Sequence, residues 1–518
     1  MKIKIRVDAS LQIGSGHVMR CLTLARALRE RGAHCHFICR VHQGHLLQKI
    51  RQAGFEAIAL PLSDKSNSSL LSEAKSALAH AYWLGSDWMT DASQTIAAIG
   101  GAYPDWIIVD HYGLDHRWES QLRPACRKIL AIDDLADRKH DCDLLLDQNL
   151  VAGYENRYDS LVPTYCTRLL GPRYALLQPQ YAELHPRALP RLGPIQRILA
   201  YFGGADKQNL TGRAIAAFLA LDRKGLFLDV VINSDSPHAI SLRNQVKHHD
   251  NVVIHEDLPS LAPLMIEADL AIGAAGATSW ERCCLGLPTL VVSLAENQTL
   301  IAAELDRLKL VYWLGNQETV SVSALKLALQ KAFKIEGSLV QWSSHCRALV
   351  DGRGAGQVAE LLLLSSTSNL TARLAYAADE NQLFSWANDS LVRKNAFSPE
   401  PIEPATHSTW FHKRLCDPEN CQIYIVETKA GIPIGQVRFE RSEEAWEIDY
   451  SLVAAARGRG LGAHLLNAAI QTFRQSRNGI LVFGRVKPGN LASEKVFRRL
   501  GFKVANSGGA SVYRRALE

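Results

Sequence analysis

The chain has 518 residues, of which 47% are hydrophobic and 21% are charged. These proportions are typical of a folded globular protein and exclude a disordered or fibrous chain, and the length indicates about three domains. No run of about 18 apolar residues is present, so the sequence predicts no transmembrane helix. The first ten residues lack the apolar core of a signal peptide, and the eleven cysteines are scattered and odd in number. We therefore expect a cytoplasmic protein with reduced thiols and no membrane partner.

The net charge of +6 is concentrated at one end of the chain. From Tyr450 onward, 12 lysines and arginines outnumber 2 acidic residues. Such a local excess suits an anionic ligand. The sequence has neither a polybasic tail nor alternating aromatic and basic residues, so we do not expect nucleic-acid binding.

The first third of the chain has the pattern of a parallel α/β domain. A β-like run, Lys2–Val7, precedes a loop and a helix that is predicted from about His17 to Arg31. Continuous apolar runs separated by helical segments indicate a sheet that is covered on both faces. The further strands predicted here are His34–Cys39, Trp106–Asp110, Lys128–Asp133 and Leu144–Asp147.

The same pattern begins again with the β-like run Arg197–Gly204. The strands predicted after it are Leu226–Ile232, Val252–His255, Asp269–Ile272 and Thr289–Val292. We therefore predict two Rossmann-like α/β lobes, residues 1–187 and 188–364. Ligands of such sheets bind at the carboxyl ends of the strands, so a cleft between the lobes is the expected site.

A third domain is predicted over residues 371–518, after the polar segment Ser365–Asn369. It contains a helical pattern over residues 460–475. Its predicted strands are Ile423–Val426, Gly435–Phe439, Trp446–Val453 and Ile480–Val486.

The first motif is the loop Gly14–His17 between a strand and a helix. Glycine permits close backbone approach, and the free N–H groups of a helix N-terminus favour phosphate oxygens. The motif is neither of the usual dinucleotide or ATP patterns. The dipole at this end of the helix favours a neutral imidazole at His17, which could accept a proton. A tight turn and a packed histidine explain the same residues.

The second motif runs from Gly273 to Glu281 in the second predicted lobe. Small residues at a strand-to-helix junction fit a phosphate, and a glutamate one helical turn later could accept both hydroxyls of a ribose. Close helix–strand packing with an exposed Glu281 is the alternative.

The order of these motifs resembles nucleotide-sugar enzymes of the glycosyltransferase-B architecture. The first motif, with Arg6, Asp8, Ser10, Ile13 and Arg20, also resembles the start of the UDP-sugar hydrolases of pseudaminic acid biosynthesis. The segments Ile132–Arg138, Asp147–Asn149, Gly276–Glu281 and Ala295–Gln298 resemble the same family. The resemblance covers about residues 1–350.

This resemblance implies a hydrolase that converts UDP-2,4-diacetamido-2,4,6-trideoxy-β-L-altropyranose to UDP and the free sugar without a metal. His17 would be the general base that activates water. Glu281 would hold the ribose, and Asn297 and Gln298 would face the sugar. Asp8 and Arg6 would orient the loop, or form a purely structural salt bridge. The residues implied in UDP-sugar binding are Asp8, Gly14, Ser15, Gly16, Gly276, Thr278, Ser279, Glu281, Asn297 and Gln298.

The third motif is the glycine loop Arg457–Gly462 in the predicted third domain. Its backbone N–H groups could surround a diphosphate, although a basic turn is the simpler alternative. The loop, and a later string from Asn490 through Ser493 and Phe497 to Phe502, resemble the GNAT superfamily of N-acetyltransferases over about residues 371–518. The segment around Trp386, His407 and Trp410 resembles the superfamily members that act on UDP-linked 4-amino sugars, and a packed amphipathic helix explains its aromatics equally well.

This second resemblance implies acetyl-CoA as cosubstrate. The residues implied in its binding are Val453, Arg457, Gly458, Arg459, Gly460, Leu461, Gly462, Asn490 and Ser493. Glu447 and Asp449 point to one face of a strand and could take the amine proton, or could be ordinary solvated carboxylates. Many members have tyrosine at the position of Phe497, which protonates the thiolate. Here Tyr513 would do so instead, or the thiolate leaves unassisted.

The sequence thus predicts a bifunctional enzyme that acetylates a UDP-4-amino sugar and then hydrolyses UDP from the product, as a monomer or weak homo-oligomer. One alternative is a glycosyltransferase that uses a UDP-amino sugar. Another is that the third domain is a non-catalytic acetyl-CoA binding module.

Overall fold

The computed structural model describes residues 1–62, 78–203, 206–334, 339–365, 368–475, 477, 479–507 and 510–517. Gly204 of a predicted strand, residues 366–367 of the predicted linker and the last residue of the predicted third domain lie outside these ranges. Each of the three predicted domains contains one β-sheet. None of the helices in the described ranges is both long and apolar enough to cross a membrane.

The first lobe is built on a parallel sheet. Its strands are β1 Lys2–Val7, β2 His34–Arg40, β3 Glu56–Leu60, β4 Trp106–Asp110, β5 Ile129–Ile132, β6 Leu144–Asp147 and β7 Thr167–Leu170. Their order across the sheet is β3-β2-β1-β4-β5-β6-β7. The accompanying helices are α1 Gly16–Glu30, α2 Leu47–Gln52, α3 Trp88–Ile99 and α4 His116–Leu122. Every residue of β4 and β6 is buried, as expected for a sheet with both faces covered.

The second lobe repeats this arrangement after α5 (Pro179–Leu184). Its parallel strands are β8 Arg197–Tyr201, β9 Phe227–Ile232, β10 Val252–Glu256, β11 Leu270–Ala274, β12 Thr289–Ser293 and β13 Tyr312–Asn316. Their order is β10-β9-β8-β11-β12-β13. Its helices are α6 Leu210–Leu219, α7 Ala239–Val246, α8 Ala262–Glu267, α9 Thr278–Cys284, α10 Glu296–Arg307, α11 Val322–Lys334, α12 Leu339–Leu349 and α13 Gly354–Leu363.

Two helices, α5 and α13, each pack against the other lobe from the one that they are next to in sequence. Tyr181 of α5 packs into the core of the second lobe. In the other direction, α13 follows the second lobe in sequence but buries Val358 and Leu362 in the core of the first lobe, beside α1. The two-lobe α/β architecture predicted from the sequence is confirmed, while the packing of α13 on the first lobe was not predicted.

The third domain has a mostly antiparallel sheet. Its strands are β14 Leu370–Leu374, β15 Cys421–Thr428, β16 Pro433–Ser442, β17 Ala445–Leu452, β18 Ile480–Val486, β19 Lys503–Ser507 and β20 Ala510–Leu517, in the order β14-β15-β16-β17-β18-β20-β19. Its helices are α14 Glu380–Ala387, α15 Ser390–Asn395, α16 Pro404–Leu415, α17 Leu461–Arg474 and α18 Leu491–Arg499.

The central strands of this sheet, β17 and β18, are parallel and separate along their length. They pair only where residues 445–447 lie opposite residues 481–483. Beyond residues 447 and 483, β17 and β18 do not pair with each other in the described part of the chain. The separation opens a wedge in the sheet on the side where α17 begins.

We predict that Leu362→Ala destabilises the whole chain, because Leu362 is fully buried where α13 meets the first lobe. Loss of a leucine side chain from such a core costs about 2–5 kcal/mol. Thermal unfolding should show a lower midpoint for this variant. Leu327→Ala, on the exposed face of α11, is the control and should leave the midpoint close to that of the wild type. Equal midpoints for both variants would contradict the packing described for α13.

Candidate functional site

The loop between β1 and α1 presents backbone N–H groups to solvent. Gly14 N–H donates to the Ser10 carbonyl at 2.8 Å, and Ile13 N–H donates to Ser10 Oγ at 3.0 Å, so the loop is a closed turn. Ser15 and Gly16 are exposed, and no side chain caps the start of α1. Because the first N–H groups of a helix have no partner inside the helix, those of α1 are available to an anion.

His17 lies in the first turn of α1, against the carboxyl end of β4. Its Nδ1 is 2.6 Å from Oδ1 of Asp110, whose side chain is fully buried. Arg20, one turn later, donates to both oxygens of Asp110 at 2.7 and 2.6 Å. A carboxylate beside Nδ1 stabilises the tautomer with the proton on Nδ1, which leaves the lone pair on Nε2. Nε2 of His17 is therefore the basic atom of this site.

The charge state of Asp110 is fixed by its neighbours. Burial on its own raises the pKa of a carboxyl group, but the charge of Arg20 and the adjacent ring of His17 outweigh burial and hold the pKa of Asp110 well below its ordinary value. Asp110 is therefore an ionised group that orients His17 and can stabilise a positive charge on it.

A second carboxylate, Asp134, completes this network. It accepts hydrogen bonds from Arg20 at 2.6 Å, from the Tyr112 hydroxyl at 2.5 Å and from the Asn149 side-chain amide at 2.8 Å. The ring of Tyr112 contacts that of His17 edge-on, with centroids 4.6 Å apart. His17 is thus held by residues that follow β4, β5 and β6, all at the carboxyl edge of the sheet.

Asp8 lies inside the lobe and not on its surface. Its carboxylate accepts two hydrogen bonds from Arg6, at 2.6 and 2.8 Å, and one from the backbone N–H of Arg40 at 2.6 Å. Arg6 also binds Asp91 at 2.6 Å. Of the two roles left open by the sequence, this geometry supports a buried ion pair, which anchors the start of the loop to β1.

In the second lobe, Arg282 holds the loop between β11 and α9 from inside. This buried side chain donates to the Ala274 carbonyl at 2.6 Å, to Ser279 Oγ at 3.1 Å and to Thr278 Oγ1 at 3.2 Å. The hydroxyls of Thr278 and Ser279 therefore face Arg282, and the backbone of the loop around Gly276 is the part left for a ligand.

The other residues predicted in this lobe surround the same loop. A Cβ on Gly276 would lie 3.3 Å from Nε2 of Gln298, so the two residues are in contact range, and Asn297 is exposed beside them. Burial raises the pKa of Glu281 to about 7, although a hydrogen bond with Tyr181 opposes the shift. Glu281 is therefore partly protonated near neutral pH.

The third domain contains a cavity of about 1170 Å³ in the wedge beside β17. Most of the residues predicted to bind acetyl-CoA line it: Arg457, Gly458, Gly460, Leu461, Gly462, Asn490 and Ser493. Gly460 has a φ of +73° and directly precedes α17. A Cβ added at Gly458, which has a φ of +74°, would meet no atom within 4 Å. The loop therefore offers an open backbone surface at the start of a 14-residue helix.

Some of the predicted acetyl-CoA contacts are engaged elsewhere. Val453 N–H already donates to the Ile434 carbonyl at 2.9 Å. Arg457 donates to the Leu452 carbonyl at 2.9 Å and pairs with Asp389 at 3.0 Å. The Arg459 side chain does not line the cavity and points towards the first lobe. In Val453, Arg457 and Arg459, a ligand could therefore bind only to backbone groups that take no part in these contacts.

The carboxylates predicted as proton acceptors differ in their placement. Asp449 lines the cavity and accepts a hydrogen bond from Gln436 at 2.9 Å. Glu447 pairs instead with Arg485 at 2.7 Å. Asp449 is therefore the better placed of the two for taking up a proton from a bound amine.

The predicted proton donor, Tyr513, is fully buried, and its hydroxyl has no hydrogen-bond partner in the described part of the chain. Its ring stacks on that of Phe497, with centroids 5.4 Å apart. Phe497 in turn presses its ring tip on Gly484, where a Cβ would come within 2.2 Å of it. This close approach of the Phe497 ring requires a glycine at position 484.

Several residues of these sites were not identified as functional from the sequence. The sequence pattern marks Asp110 only as the end of a strand. It gives no functional role to Tyr450, whose hydroxyl lies 2.9 Å from Ser493 Oγ in the cavity wall. A polar residue that ends a buried parallel strand is the signal that could have identified Asp110. No group of histidine, cysteine, aspartate or glutamate that could hold a metal occurs within the described residues.

Comparison with known proteins finds similar proteins for both the two lobes and the third domain. Residues 369–503 match the family model of the acetyltransferase (GNAT) domain. An uncharacterized protein of Methanocaldococcus jannaschii is 22% identical over 98% of each chain. The UDP-2,4-diacetamido-2,4,6-trideoxy-beta-L-altropyranose hydrolase of Campylobacter jejuni is 27% identical over 58% of this chain and 93% of its own length. A spore coat polysaccharide biosynthesis protein of Bacillus subtilis is 29% identical over 37% of this chain and 57% of its own length.

The chain is an α/β protein in which two Rossmann-like lobes precede a domain that matches the GNAT acetyltransferase family model. More particularly, its N-terminal part is a relative of the altropyranose hydrolase, to which a GNAT domain is fused. The resemblances of the sequence to the altropyranose hydrolase and to the GNAT superfamily are thereby confirmed.

Proposed function

We propose that the two lobes hydrolyse UDP-2,4-diacetamido-2,4,6-trideoxy-β-L-altropyranose to UDP and the free sugar. The observation that carries this proposal is the pairing of His17 with the ionised Asp110 beside an open loop of backbone N–H groups. The relationship to the Campylobacter jejuni hydrolase supports the same substrate class.

The arrangement suits attack by water at the anomeric carbon. Nε2 of His17 takes one proton from the water while its oxygen bonds to the anomeric carbon and the bond from that carbon to the UDP oxygen breaks. Asp110 stabilises the imidazolium that results. UDP leaves as an anion. The N-termini of the helices and the charge of Arg282, which contacts the loop between β11 and α9, favour its departure. Glu281 would accept hydrogen bonds from the ribose hydroxyls.

We further propose that the third domain transfers the acetyl group of acetyl-CoA to the 4-amino group of the preceding UDP-sugar. The Gly458–Gly462 loop would bind the diphosphate of the cosubstrate, and Asp449 would receive the amine proton. The cavity extends beyond the loop to Arg393, His407 and Trp410, where cationic and aromatic side chains suit an anionic nucleotide sugar. The acetylated product would be the substrate of the two lobes.

His17→Ala should reduce sugar release at least 100-fold, because a general base contributes about 10²–10⁴ to the rate. UDP affinity should stay within about tenfold of the wild type, because in the proposed mechanism the ring acts at the anomeric carbon and does not bind the nucleotide. Sugar and UDP release from the UDP-sugar alone is the measurement, with exposed His248→Ala as control. Turnover at a near wild-type rate in His17→Ala would exclude this base. Turnover that requires an added acceptor would indicate a glycosyltransferase instead.

UDP binding should weaken as the pH falls through about 7. Protonation of Glu281, whose pKa burial raises to about 7, removes an acceptor for the ribose hydroxyls. The affinity of UDP should therefore be highest above pH 7 and decrease below it. Calorimetric titrations of the wild type and of Glu281→Gln between pH 6 and 8.5 separate this effect from the titration of UDP itself, which both proteins share. Identical pH profiles would contradict the role of Glu281.

Gly460→Val should weaken acetyl-CoA binding at least about tenfold, because Gly460 lines the cavity and a side chain there would obstruct the loop proposed to bind the diphosphate. Gly431→Val is a matched control in the same domain, since Gly431 has a similar φ of +74° but does not line the cavity. Direct binding measurements would compare the two. Equal affinities in both variants would refute the assignment of the loop.

A further inference from the structure

The acetyl-CoA loop contacts the first lobe through the segment before its glycines, and its Arg459 contacts α13, which packs on that lobe. On its N-terminal side, the ammonium group of Lys128 donates to the carbonyls of Ala454 and Ala455 at 3.1 Å and of Arg457 at 3.3 Å. Lys128 directly precedes β5 of the first lobe. Thr167, which begins β7 of the same lobe, accepts a hydrogen bond from Ala455 N–H at 3.2 Å.

Within the loop, Arg459 extends in the opposite direction, from the third domain towards α13. It donates to the carbonyls of Leu361, Leu362 and Leu364 at 3.2, 2.8 and 3.1 Å. These carbonyls end the helix, where they have no partner inside it and where the helix dipole favours a cation. Arg459 therefore caps α13 at the boundary between the first lobe and the third domain.

Trp106 of β4 lies close to both of these cations. Its indole N–H donates to the Leu362 carbonyl at 3.1 Å. The Arg459 guanidinium is 5.3 Å and the Lys128 ammonium 5.7 Å from the centroid of its ring. Burial, together with the charge of Arg459, lowers the pKa of Lys128 to about 8. Two partly desolvated cations held by backbone carbonyls and one aromatic ring form a specific contact and not a solvated surface.

We infer that the first lobe positions the acetyl-CoA loop, with Lys128 as the principal positioning residue. The inference rests on the proposed binding of acetyl-CoA by this loop. A loop with exposed glycines at 458 and 460 loses much conformational freedom when it orders around a diphosphate. Because Lys128 fixes the segment before the glycines and Arg459 fixes the residue between them, the lobe bears part of that ordering cost before the cosubstrate arrives.

The test uses the full chain with Lys128→Met, which keeps the length of the side chain but removes its donors, at pH 7. The KM for acetyl-CoA and its dissociation constant should each rise about tenfold, while kcat at saturating acetyl-CoA stays within about twofold. UDP-sugar hydrolysis should stay unchanged. Lys128→Arg should restore most of the affinity, because a guanidinium can also donate to several carbonyls. Lys331→Met, on exposed α11, is the control and should match the wild type.

A second variant, Thr167→Val, removes only the acceptor for Ala455 N–H and should raise the KM for acetyl-CoA in the same direction with a preserved fold. An acetyl-CoA affinity that is unchanged in Lys128→Met and in Thr167→Val would overturn the inference. So would an equal loss of acetylation and hydrolysis in Lys128→Met, which would indicate general destabilisation. If the wild-type chain itself did not bind acetyl-CoA, the proposed function of the third domain would fail, and the inference with it.

Discussion

A carboxylate cut off from solvent has to be compensated by charges around it, and Asp110 is compensated by Arg20 and His17. The desolvation cost of such a group is several kcal/mol, so the surrounding donors have little freedom to move. This requirement fixes the ring of His17 with Nδ1 inward and Nε2 as the free basic atom. It also ties α1 to the sheet edge through Arg20 and Asp134. The chemistry proposed for the first lobe thus follows from one buried negative charge.

The fold was largely predictable because its elements are encoded by local patterns. Strands such as Trp106–Asp110 and Leu144–Asp147 coincide with the predicted runs, since a buried parallel strand reads as a continuous apolar segment. Some strands with interrupted apolar patterns were not predicted from the sequence. Thr167–Leu170 begins with two polar residues and is mostly half-buried, and Tyr312–Asn316 contains a glycine, so neither pattern is distinguishable from that of a loop.

The sequence motifs located the glycine loops that contribute backbone groups to the candidate sites. They did not predict contacts that depend on the direction in which a side chain points. Gly458 and Gly460 line the cavity as expected, because glycine geometry is a local property. Arg459 belongs to the same motif, yet its side chain binds α13, a helix about 100 residues earlier in the chain. Tyr450 meets Ser493 only because β17 and α18 come together in the folded domain. Contacts of this kind depend on tertiary packing and leave no signal in sequence spacing.

The helix α13 connects the two parts of the chain physically. Along its length it packs beside α1, whose first turn contains His17, and at its end it is capped by Arg459 from the glycine loop Arg457–Gly462. One continuous hydrophobic core includes residues of both the first lobe and the third domain. Transmission between two sites needs an element with two alternative arrangements, whereas a capped helix packed on both sides resists movement. The connection is therefore better suited to holding both loops in fixed shapes than to relaying a signal between them.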